Sequence, residues 1–230
     1  MAVDFHSHIL PGIDDGSRSV EESIAMLRAS AEQGIREVVL TPHFYPQHTA
    51  VERFLHRRTR SMEKLQEAIS AEAGLPAVRC GAEVHFYPQM SHSDALRSLV
   101  IEGTEHLLVE MPMTRWTPGT YRELEDIYGN LGLTPIIAHL DRYLGRFRDY
   151  GIPERLAQLP VMVQINASAV LSGSMGLKLL RQRRAHLLGS DCHNMKERKP
   201  NLGAAAERIT RKLGKDTMDW IYDKERSILR

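Results

Sequence analysis

The sequence predicts an α/β fold built on a parallel β-sheet with helices packed against its strands. About seven short runs of β-branched and other apolar residues alternate with segments whose apolar residues recur at helical spacing. Capping sequences and glycines mark several of the boundaries between these runs. No internal repeat, low-complexity stretch or linker interrupts the pattern, so residues 1–230 are expected to form one domain. Periodicity alone does not decide whether the sheet closes into a barrel or stays open.

The first half of the chain predicts three strands and two helices. Ser19 and Glu22 form a capping box before an apolar helical face, and Gly34 is the expected end of that helix. The segment after Gly34, IREVVLT, is rich in β-branched residues and predicts a buried strand. The predicted elements are a strand at 2–8, a helix from about 20 to 33, a strand at 35–41, a helix at 51–73 and a strand at 77–86.

The second half continues the alternation. A strand is expected at 107–111, followed by a helix that Thr120 and Glu123 would cap and Gly132 would end. Further strands are expected at 134–139, 161–165 and 186–190, with helices between and after them. In a parallel architecture of this kind, chemistry is expected at the carboxyl ends of the strands.

Composition narrows the functional class. Of the 230 residues, 42% are hydrophobic and 26% charged, a balance typical of a soluble globular protein. Thirty Lys and Arg against twenty-nine Asp and Glu leave a net charge of +1, which argues against a nucleic-acid partner. No apolar run approaches the ~18 residues of a membrane span, and the amino terminus lacks the features of a signal peptide. A cytoplasmic enzyme or binding domain, without membrane insertion, is expected.

Polar side chains accumulate at the predicted strand ends. His6 and His8 lie two residues apart on one strand, so both imidazoles can face one cation. Such a pair occurs by chance in a chain with eleven histidines, but other strands add ligands of the same kind. These are His43, Glu83, Glu110, His139, Asp191 and His193, with Asp14 and Asp15 after the first strand. Buried charges are costly unless they are paired or bound to metal, so we predict a metal site.

The kinds of ligand limit the choice of metal. Imidazole and carboxylate without a required thiolate suit Mn²⁺, Fe or Zn²⁺. The number of ligands exceeds what one cation uses, so two or more ions are expected.

The ordered motifs add a resemblance. The string DFHSHILPGIDDG at 4–16 is followed by TPH, GAE, VE, AHLDRY, INAS and GSDCHN. This set resembles the polymerase and histidinol phosphatase (PHP) superfamily. Within it, the set is most similar to the bacterial manganese-dependent protein-tyrosine phosphatases of capsule and exopolysaccharide operons. The similarity runs from about Val3 to Asn201 and implies a distorted (β/α)₇ TIM-like barrel.

The resemblance also implies roles for individual residues. Two or three divalent ions, Mn²⁺ by preference, would share nine ligands. The first ion would take His6, His8, Glu83 and Asp191, the second Glu83, Glu110 and His139, and the third Asp15, His43 and His193. Asp14 is the alternative to Asp15. Arg142 and Arg198 match positions where the family places arginines that bind phosphate or stabilise charge.

Two departures from the family concern the surroundings of these ligands. The chain between Asn166 and Gly189 is short, as if one helix and its loop were trimmed. His85 stands where an aromatic residue is common, on the same strand face as Glu83. Both departures leave the substrate preference open.

Cys192 and Arg198 match the C-x₅-R spacing of the thiol-dependent tyrosine phosphatases. We interpret the match as coincidence, because the intervening residues contain no glycine and Asp191 precedes the cysteine where those enzymes usually have His. Cys192 is expected to be a small buried residue of the last strand, and Cys80 to belong to the core.

Other clusters have two interpretations each. Arg53, Arg57, Arg58 and Arg60 form either a solvated helix face or a docking face for an acidic, tyrosine-rich tail. Tyr45, Tyr87 and Trp116 either form an apolar wall for a phenyl ring or pack against their own protein.

The sequence predicts a metal-dependent phosphomonoester hydrolase that uses a metal-activated hydroxide. The resemblance implies a phosphotyrosine protein as substrate, in particular a bacterial tyrosine kinase of capsule or exopolysaccharide synthesis. One alternative is a phosphatase of histidinol phosphate or another small molecule on the same fold. Another is a catalytically weak, metal-binding regulatory partner.

Overall fold

A computed structural model describes residues 2–144 and 151–229 of the chain. The described residues contain nine strands and eight α-helices. The strands are β1 (Ala2–Ser7), β2 (Ile35–Leu40), β3 (His43–Phe44), β4 (Ala77–Cys80), β5 (Glu83–His85), β6 (His106–Glu110), β7 (Thr134–Ile137), β8 (Met162–Asn166) and β9 (Leu187–Gly189). The helices are α1 (Val20–Glu32), α2 (Val51–Ser70), α3 (Pro118–Leu131), α4 (Ile152–Leu156), α5 (Ala167–Leu171), α6 (Met175–Arg181), α7 (Leu202–Leu213) and α8 (Lys215–Ile228).

The strands pair in parallel, in two hydrogen-bonded groups. One group has the order β1-β2-β4 and the other the order β3-β5-β6-β7-β8-β9. Backbone hydrogen bonds also join the end of β1 to the residues after β9, from Asp191 N to His6 O (2.8 Å) and from His8 N to Cys192 O (2.9 Å). The result is a mixed α/β fold whose parallel sheet curls into a half-barrel, which confirms the predicted α/β class with a parallel sheet.

One predicted strand is interrupted, and another is followed by a short strand that was not predicted. The strand expected at 77–86 divides into β4 and β5, and β3 follows β2 after a two-residue break. Pro42 lies in the second break and has no amide hydrogen to donate, so the ladder cannot continue through it. Its carbonyl still accepts from Glu83 N (3.0 Å), which keeps β3 and β5 side by side.

The helix boundaries follow local capping chemistry. Ser19 caps α1 by accepting from Glu22 N, as predicted. The prediction for α3 was wrong: Thr117 is the N-cap, Pro118 fills the first turn, and Thr120 completes the capping box. Proline suits this first turn because its missing amide hydrogen would have no partner there. No helix in the described part of the chain is long and apolar enough to cross a membrane.

Candidate metal centre

The end of β1 supplies two buried imidazoles. His6 and His8 have no exposed surface, and their Nε2 atoms lie 3.1 Å apart. Gln164 Oε1 lies 3.3 Å from His6 Nδ1, and Asp14 Oδ2 lies 2.8 Å from His8 Nδ1. Because each Nδ1 faces a hydrogen-bond acceptor, each Nε2 faces the interior of the site. Partners of this kind orient the imidazole ligands of metals.

Glu83 lies at the middle of the cluster and is 1% exposed. Its Oε2 atom is 3.3 Å from His6 Nε2, 3.4 Å from His8 Nε2 and 2.9 Å from His43 Nδ1. Its Oε1 atom is 2.8 Å from His139 Nε2. This single carboxylate therefore contacts side chains from the ends of three other strands.

The segment after β9 brings in Asp191 and His193. Asp191 Oδ1 lies 3.5 Å from His8 Nε2 and 3.7 Å from His6 Nε2. Arg142 donates to Asp191 Oδ2, and Arg198 donates to Asp191 Oδ1 at 2.8 Å. Both predicted arginines are thus at the edge of the cluster, where each is about one-third exposed.

Asp14 and Asp15 have different environments. Asp14 is held by His8 and by the backbone amides of Gly16 and His43, both at 3.0 Å. Asp15 is 65% exposed, and its Oδ1 lies 3.5 Å from both His43 Nε2 and His193 Nε2. Asp15 therefore faces two candidate ligands, His43 and His193. Asp14 instead contacts the Nδ1 atom of a third candidate ligand, His8, on the side away from the cluster.

The loop that carries these two aspartates packs tightly on β1 and α2. A Cβ at Gly16 would lie 2.1 Å from His8 O, so only glycine fits there. Arg57 donates to Ile13 O, and Ser61 donates to Pro11 O at 2.7 Å. Helix α2 thus fixes the position of the loop.

His85 belongs to the same edge. Its Nδ1 lies 3.2 Å from Glu110 Oε2, and its ring centroid is 5.4 Å from that of Tyr45. Glu110 Oε1 is 3.8 Å from His139 Nε2. Glu110 is therefore connected to the cluster from two sides.

Three overlapping groups of these side chains have the spacing of metal ligands. Within each group the candidate ligand atoms lie within 4.8 Å of one another; the groups are His8, Asp15, His43 and His193; His6, His8 and Glu83; and His43, Glu83 and Glu110. Glu83 Oε2 and His193 Nε2 are buried and have no hydrogen-bond partner among the described residues. These two buried atoms and the imidazole–carboxylate donor set fit divalent metal ions.

The electrostatics of the cluster favour a cation among the carboxylates. Burial would raise the pKa of Glu83, but His6, His139 and His43 hold it well below its usual range. Burial opposes protonation of His8, yet Asp14 and Glu83 raise its pKa to about 10. The carboxylates therefore stabilise positive charge at this position.

Two polar residues of β8 were missed by the sequence analysis. Gln164 Oε1 accepts from His139 N (2.6 Å), and Asn166 Nδ2 donates to Asp191 Oδ2 (2.9 Å). Gln164 Nε2 also donates to Asn166 Oδ1 (3.1 Å). Their signal was present, because two polar residues at i and i+2 in the apolar run VMVQIN share one face of a buried strand.

The cysteines differ from each other in environment. Cys192 has no exposed surface, as predicted, and burial raises the pKa of its thiol. Cys80 does not belong to the core: it is only partly buried and lines a surface cleft of about 760 Å³ with Met62 and Val100. Cys80 ends β4 beneath α2, and the space between helix and strand leaves it accessible.

The three aromatic residues singled out in the sequence also differ in environment. Trp116 is 6% exposed, packs on Tyr121 and Tyr143, and donates to Pro112 O. Tyr87 packs against the core. Of the three aromatic residues singled out in the sequence, Tyr45 is the one that touches the cluster, with its hydroxyl 3.2 Å from His43 Nδ1.

The chain is similar in sequence to a known protein family. The family model for capsular polysaccharide synthesis, CpsB/CapC, matches residues 2–230. Tyrosine-protein phosphatase CpsB of Streptococcus pneumoniae is 28% identical over 254 residues, covering 99% of this chain and 98% of that protein. Tyrosine-protein phosphatase YwqE of Bacillus subtilis is 27% identical over 243 residues, covering 99% of this chain and 91% of that protein.

A solved structure shares the fold. It belongs to the crystal structures of YwqE from Bacillus subtilis and CpsB from Streptococcus pneumoniae, described as unique metal-dependent tyrosine phosphatases. The match has a TM-score of 0.86 at 24% identity and covers 99% of this chain and 94% of that chain.

Proposed function

Because the chain belongs to the CpsB/CapC family of capsular polysaccharide synthesis, we propose that it is a metal-dependent phosphatase of tyrosine-phosphorylated proteins. The membership confirms the resemblance that the sequence motifs indicated. The observation that carries the proposal is the buried cluster around Glu83, in which imidazoles and carboxylates from most strand ends form overlapping ligand groups.

The proposed ligands are the nine residues named from the sequence, with Glu83 shared between ions. His8 and His43 each occur in two of the three groups, which supports a centre of two or three ions rather than separate sites. Bound divalent ions lower the pKa of a water molecule to about 7 and offset phosphate charge. Mn²⁺ suits the mixed imidazole and carboxylate donors.

Arg142 and Arg198 are proposed to hold the phosphate. Both guanidinium groups lie beside the cluster and are partly exposed, so they can turn from Asp191 toward a bound anion. A guanidinium can make two parallel hydrogen bonds to phosphate, a geometry that lysine lacks. A tyrosyl leaving group has a pKa of about 10, so its departure depends little on a strong general acid.

The preferred substrate is a phosphotyrosine of a bacterial tyrosine kinase in capsule or exopolysaccharide synthesis. The named relatives are tyrosine-protein phosphatases, and the family is one of capsular polysaccharide synthesis. The alternative of histidinol phosphate remains chemically close, because the same cluster suits any phosphomonoester.

We also propose that residues 1–230 form one domain in which the curled sheet closes as a distorted (β/α)₇ barrel. The hydrogen bonds between the end of β1 and the residues after β9 support this closure.

The test is hydrolysis of a phosphotyrosine peptide and of histidinol phosphate by metal-stripped protein, with and without added Mn²⁺. We expect Mn²⁺-dependent release from the peptide, lost in His6→Ala and retained in Cys192→Ser. Preference for histidinol phosphate would overturn the substrate. Metal-independent activity that disappears in Cys192→Ser would overturn the mechanism. Metal binding without turnover of either substrate would favour the regulatory partner.

A further inference from the structure

A cleft of about 540 Å³ opens beside the metal centre. Its lining includes Asp15 and His43 of the centre, the ring of Tyr45, and Arg53 and Arg57 from α2. We name it the side cleft. Because the side cleft shares residues with the metal centre, a substrate whose phosphate occupies the centre has the side cleft as its immediate surroundings.

The two arginines of the side cleft have different roles. They are four residues apart on α2 and therefore lie on the same helix face. Arg57 donates to Ile13 O and so holds the loop that carries Asp15. Arg53 is exposed, and within residues 2–144 and 151–229 its guanidinium makes no hydrogen bond or ion pair. Arg53 is the cation of the side cleft that is available to a ligand.

The remaining lining is mixed and consists of the aromatic ring of Tyr45, the polar side chains of His48 and Thr49, and the apolar residues Ile13 and Phe54. Tyr45 stacks on His43 with ring centroids 5.1 Å apart, and its hydroxyl contacts His43. Ile13 and Phe54 are 7% and 2% exposed, so they contribute only small apolar edges to the cleft. The side cleft thus combines an aromatic ring and polar side chains with one free guanidinium, a combination that suits a peptide carrying an acidic side chain.

We propose that the side cleft binds the peptide next to the phosphotyrosine and that Arg53 binds an acidic side chain of that peptide. The proposal rests on the proposed function, because it requires the phosphate to occupy the metal centre. A carboxylate forms charge-assisted hydrogen bonds with a guanidinium. The two aspartates of the side cleft do not compete for Arg53, since Asp14 is bound to His8 and Asp15 faces His43 and His193.

The test compares two phosphotyrosine peptides that differ only in having Glu or Gln beside the phosphotyrosine. With the Mn²⁺-loaded enzyme, we expect kcat/KM to be about three to five times higher for the Glu peptide, the size of a partly exposed ion pair. This ratio is expected to fall to about one in Arg53→Ala. For Arg53→Glu, we expect a Lys peptide to have a higher kcat/KM than the Gln peptide.

Arg60→Ala is the matched control, because Arg60 lies on α2 but does not line the side cleft. It should retain the ratio of the unmodified enzyme. A ratio of one in the unmodified enzyme, or the same loss in Arg60→Ala as in Arg53→Ala, would overturn the side-cleft proposal. Higher salt should reduce the ratio, since exposed charges are screened.

The two proposals fail in different ways. Absence of Mn²⁺-dependent turnover with both peptides would overturn the proposed function. The side cleft is then tested by the binding of non-hydrolysable phosphonate analogues of the same peptides to the Mn²⁺-loaded protein. Tighter binding of the Glu analogue that is lost in Arg53→Ala would support the side cleft, and equal affinities would overturn it.

Discussion

The two ends of the curled sheet shift the pKa values of ionisable side chains in opposite directions. At the carboxyl end, Glu83 and His8 are both fully buried, yet both are driven toward their charged forms. At the amino end, burial raises the pKa of Glu225 to about 8 and lowers that of His186 to about 4, so both are driven toward their neutral forms. Burial is the largest effect on all four pKa values.

Partners account for the difference. Glu83 is surrounded by imidazoles, and His8 by two carboxylates. Among the described residues, Glu225 accepts one side-chain hydrogen bond, from Val3 N at 3.2 Å; the cations of the amino terminus and of Arg226 lower its pKa, and Asp4 raises it, but burial outweighs them. His186 accepts from Val163 N at 3.0 Å and has the cation of Lys224 nearby. The charged forms are therefore favoured at the carboxyl end of the sheet, where the candidate metal centre lies.

The strongest test of the charged end is Glu83→Gln. The substitution keeps the size of the side chain but removes the charge that two of the three ligand groups share, so we expect kcat/KM to fall by at least about 10³-fold and bound metal to decrease. Metal content by mass spectrometry and Mn²⁺-dependent hydrolysis measure the two effects. Glu105→Gln, at an exposed position before β6, is the matched control. Full metal content with full activity would show that Glu83 is not a ligand.

Asp14→Asn tests whether the hydrogen bond from His8 Nδ1 to Asp14 contributes to metal binding by His8. Gly16 N and His43 N bond different oxygens of Asp14, so asparagine, with one acceptor oxygen, can keep only one of these bonds, and it lacks the charge that holds His8 Nδ1. We expect the affinity for Mn²⁺ to fall by about 10- to 100-fold, the usual cost of losing such a partner.

Titration of the metal-stripped protein with Mn²⁺ measures this affinity. Asp94→Asn is the control, because the Asp94 side chain is 90% exposed and belongs to none of the three ligand groups. If Asp14→Asn abolished binding as completely as loss of Asp15, Asp14 would be a direct ligand instead.

The sequence predicted much of this centre because its residues lie at fixed positions relative to buried strands. His6 and His8 at i and i+2, and Glu83 within a third strand, follow from strand periodicity and from the shared edge of parallel strands. It did not predict the supporting contacts. The amide of Gln164 contacts His6 and His139, which are distant in sequence, and such contacts depend on how three strands align in space.

The fold shows the same division. Alternation of strands and helices was correct, whereas the break between β4 and β5 was missed. That break lies at Gly81 and Ala82, beside the break that contains Pro42, and Gly81 was a local signal for it, since glycine weakens a strand interior. The start of α3 was also missed, although Thr117 and Pro118 carried a local signal that Thr120 and Glu123 obscured.

Glu225→Gln tests the neutral end at alkaline pH. The folded-state pKa of about 8 lies above the usual value of 4.5, so folded protein keeps a proton that unfolded protein loses between these values. Stability from this group is therefore fully present below pH 4.5 and decreases as pH rises toward 8. Glutamine keeps an acceptor for Val3 N and does not ionise. We expect the variant to be about 2 kcal/mol more stable than the original protein at pH 8 and equal to it near pH 4.5.

Denaturant unfolding at the two pH values measures this difference, with Glu207→Gln on the exposed face of α7 as control. A stability gain that did not change with pH would mean that Glu225 has the same pKa in the folded and the unfolded protein. The two ends of the sheet would then differ less than their contacts indicate.

His186→Asn is the smallest expected effect and tests the neutral end at acidic pH. The folded-state pKa of about 4 lies below the usual value of 6.5, so unfolded protein binds a proton that folded protein does not as pH falls between these values. Stability from this group is present above pH 6.5 and is lost toward pH 4. Asparagine can accept from Val163 N without titrating. We expect its unfolding free energy to decline by about 1 kcal/mol less than that of the original protein between pH 7 and pH 5.

The control for this variant is His92→Asn, at an exposed position, which should leave the pH dependence unchanged. The cause of the effect can also be separated. His186 lies beside Trp220, whose ring is also contacted by Arg183 and Lys224, so a protonated imidazole would be a third cation at the same place. Lys224→Met removes one cation and should raise the pKa of His186, measured by NMR titration of its ring protons. An unchanged pKa would assign the neutral state to burial alone, and partners would then distinguish the two ends of the sheet only at the metal centre.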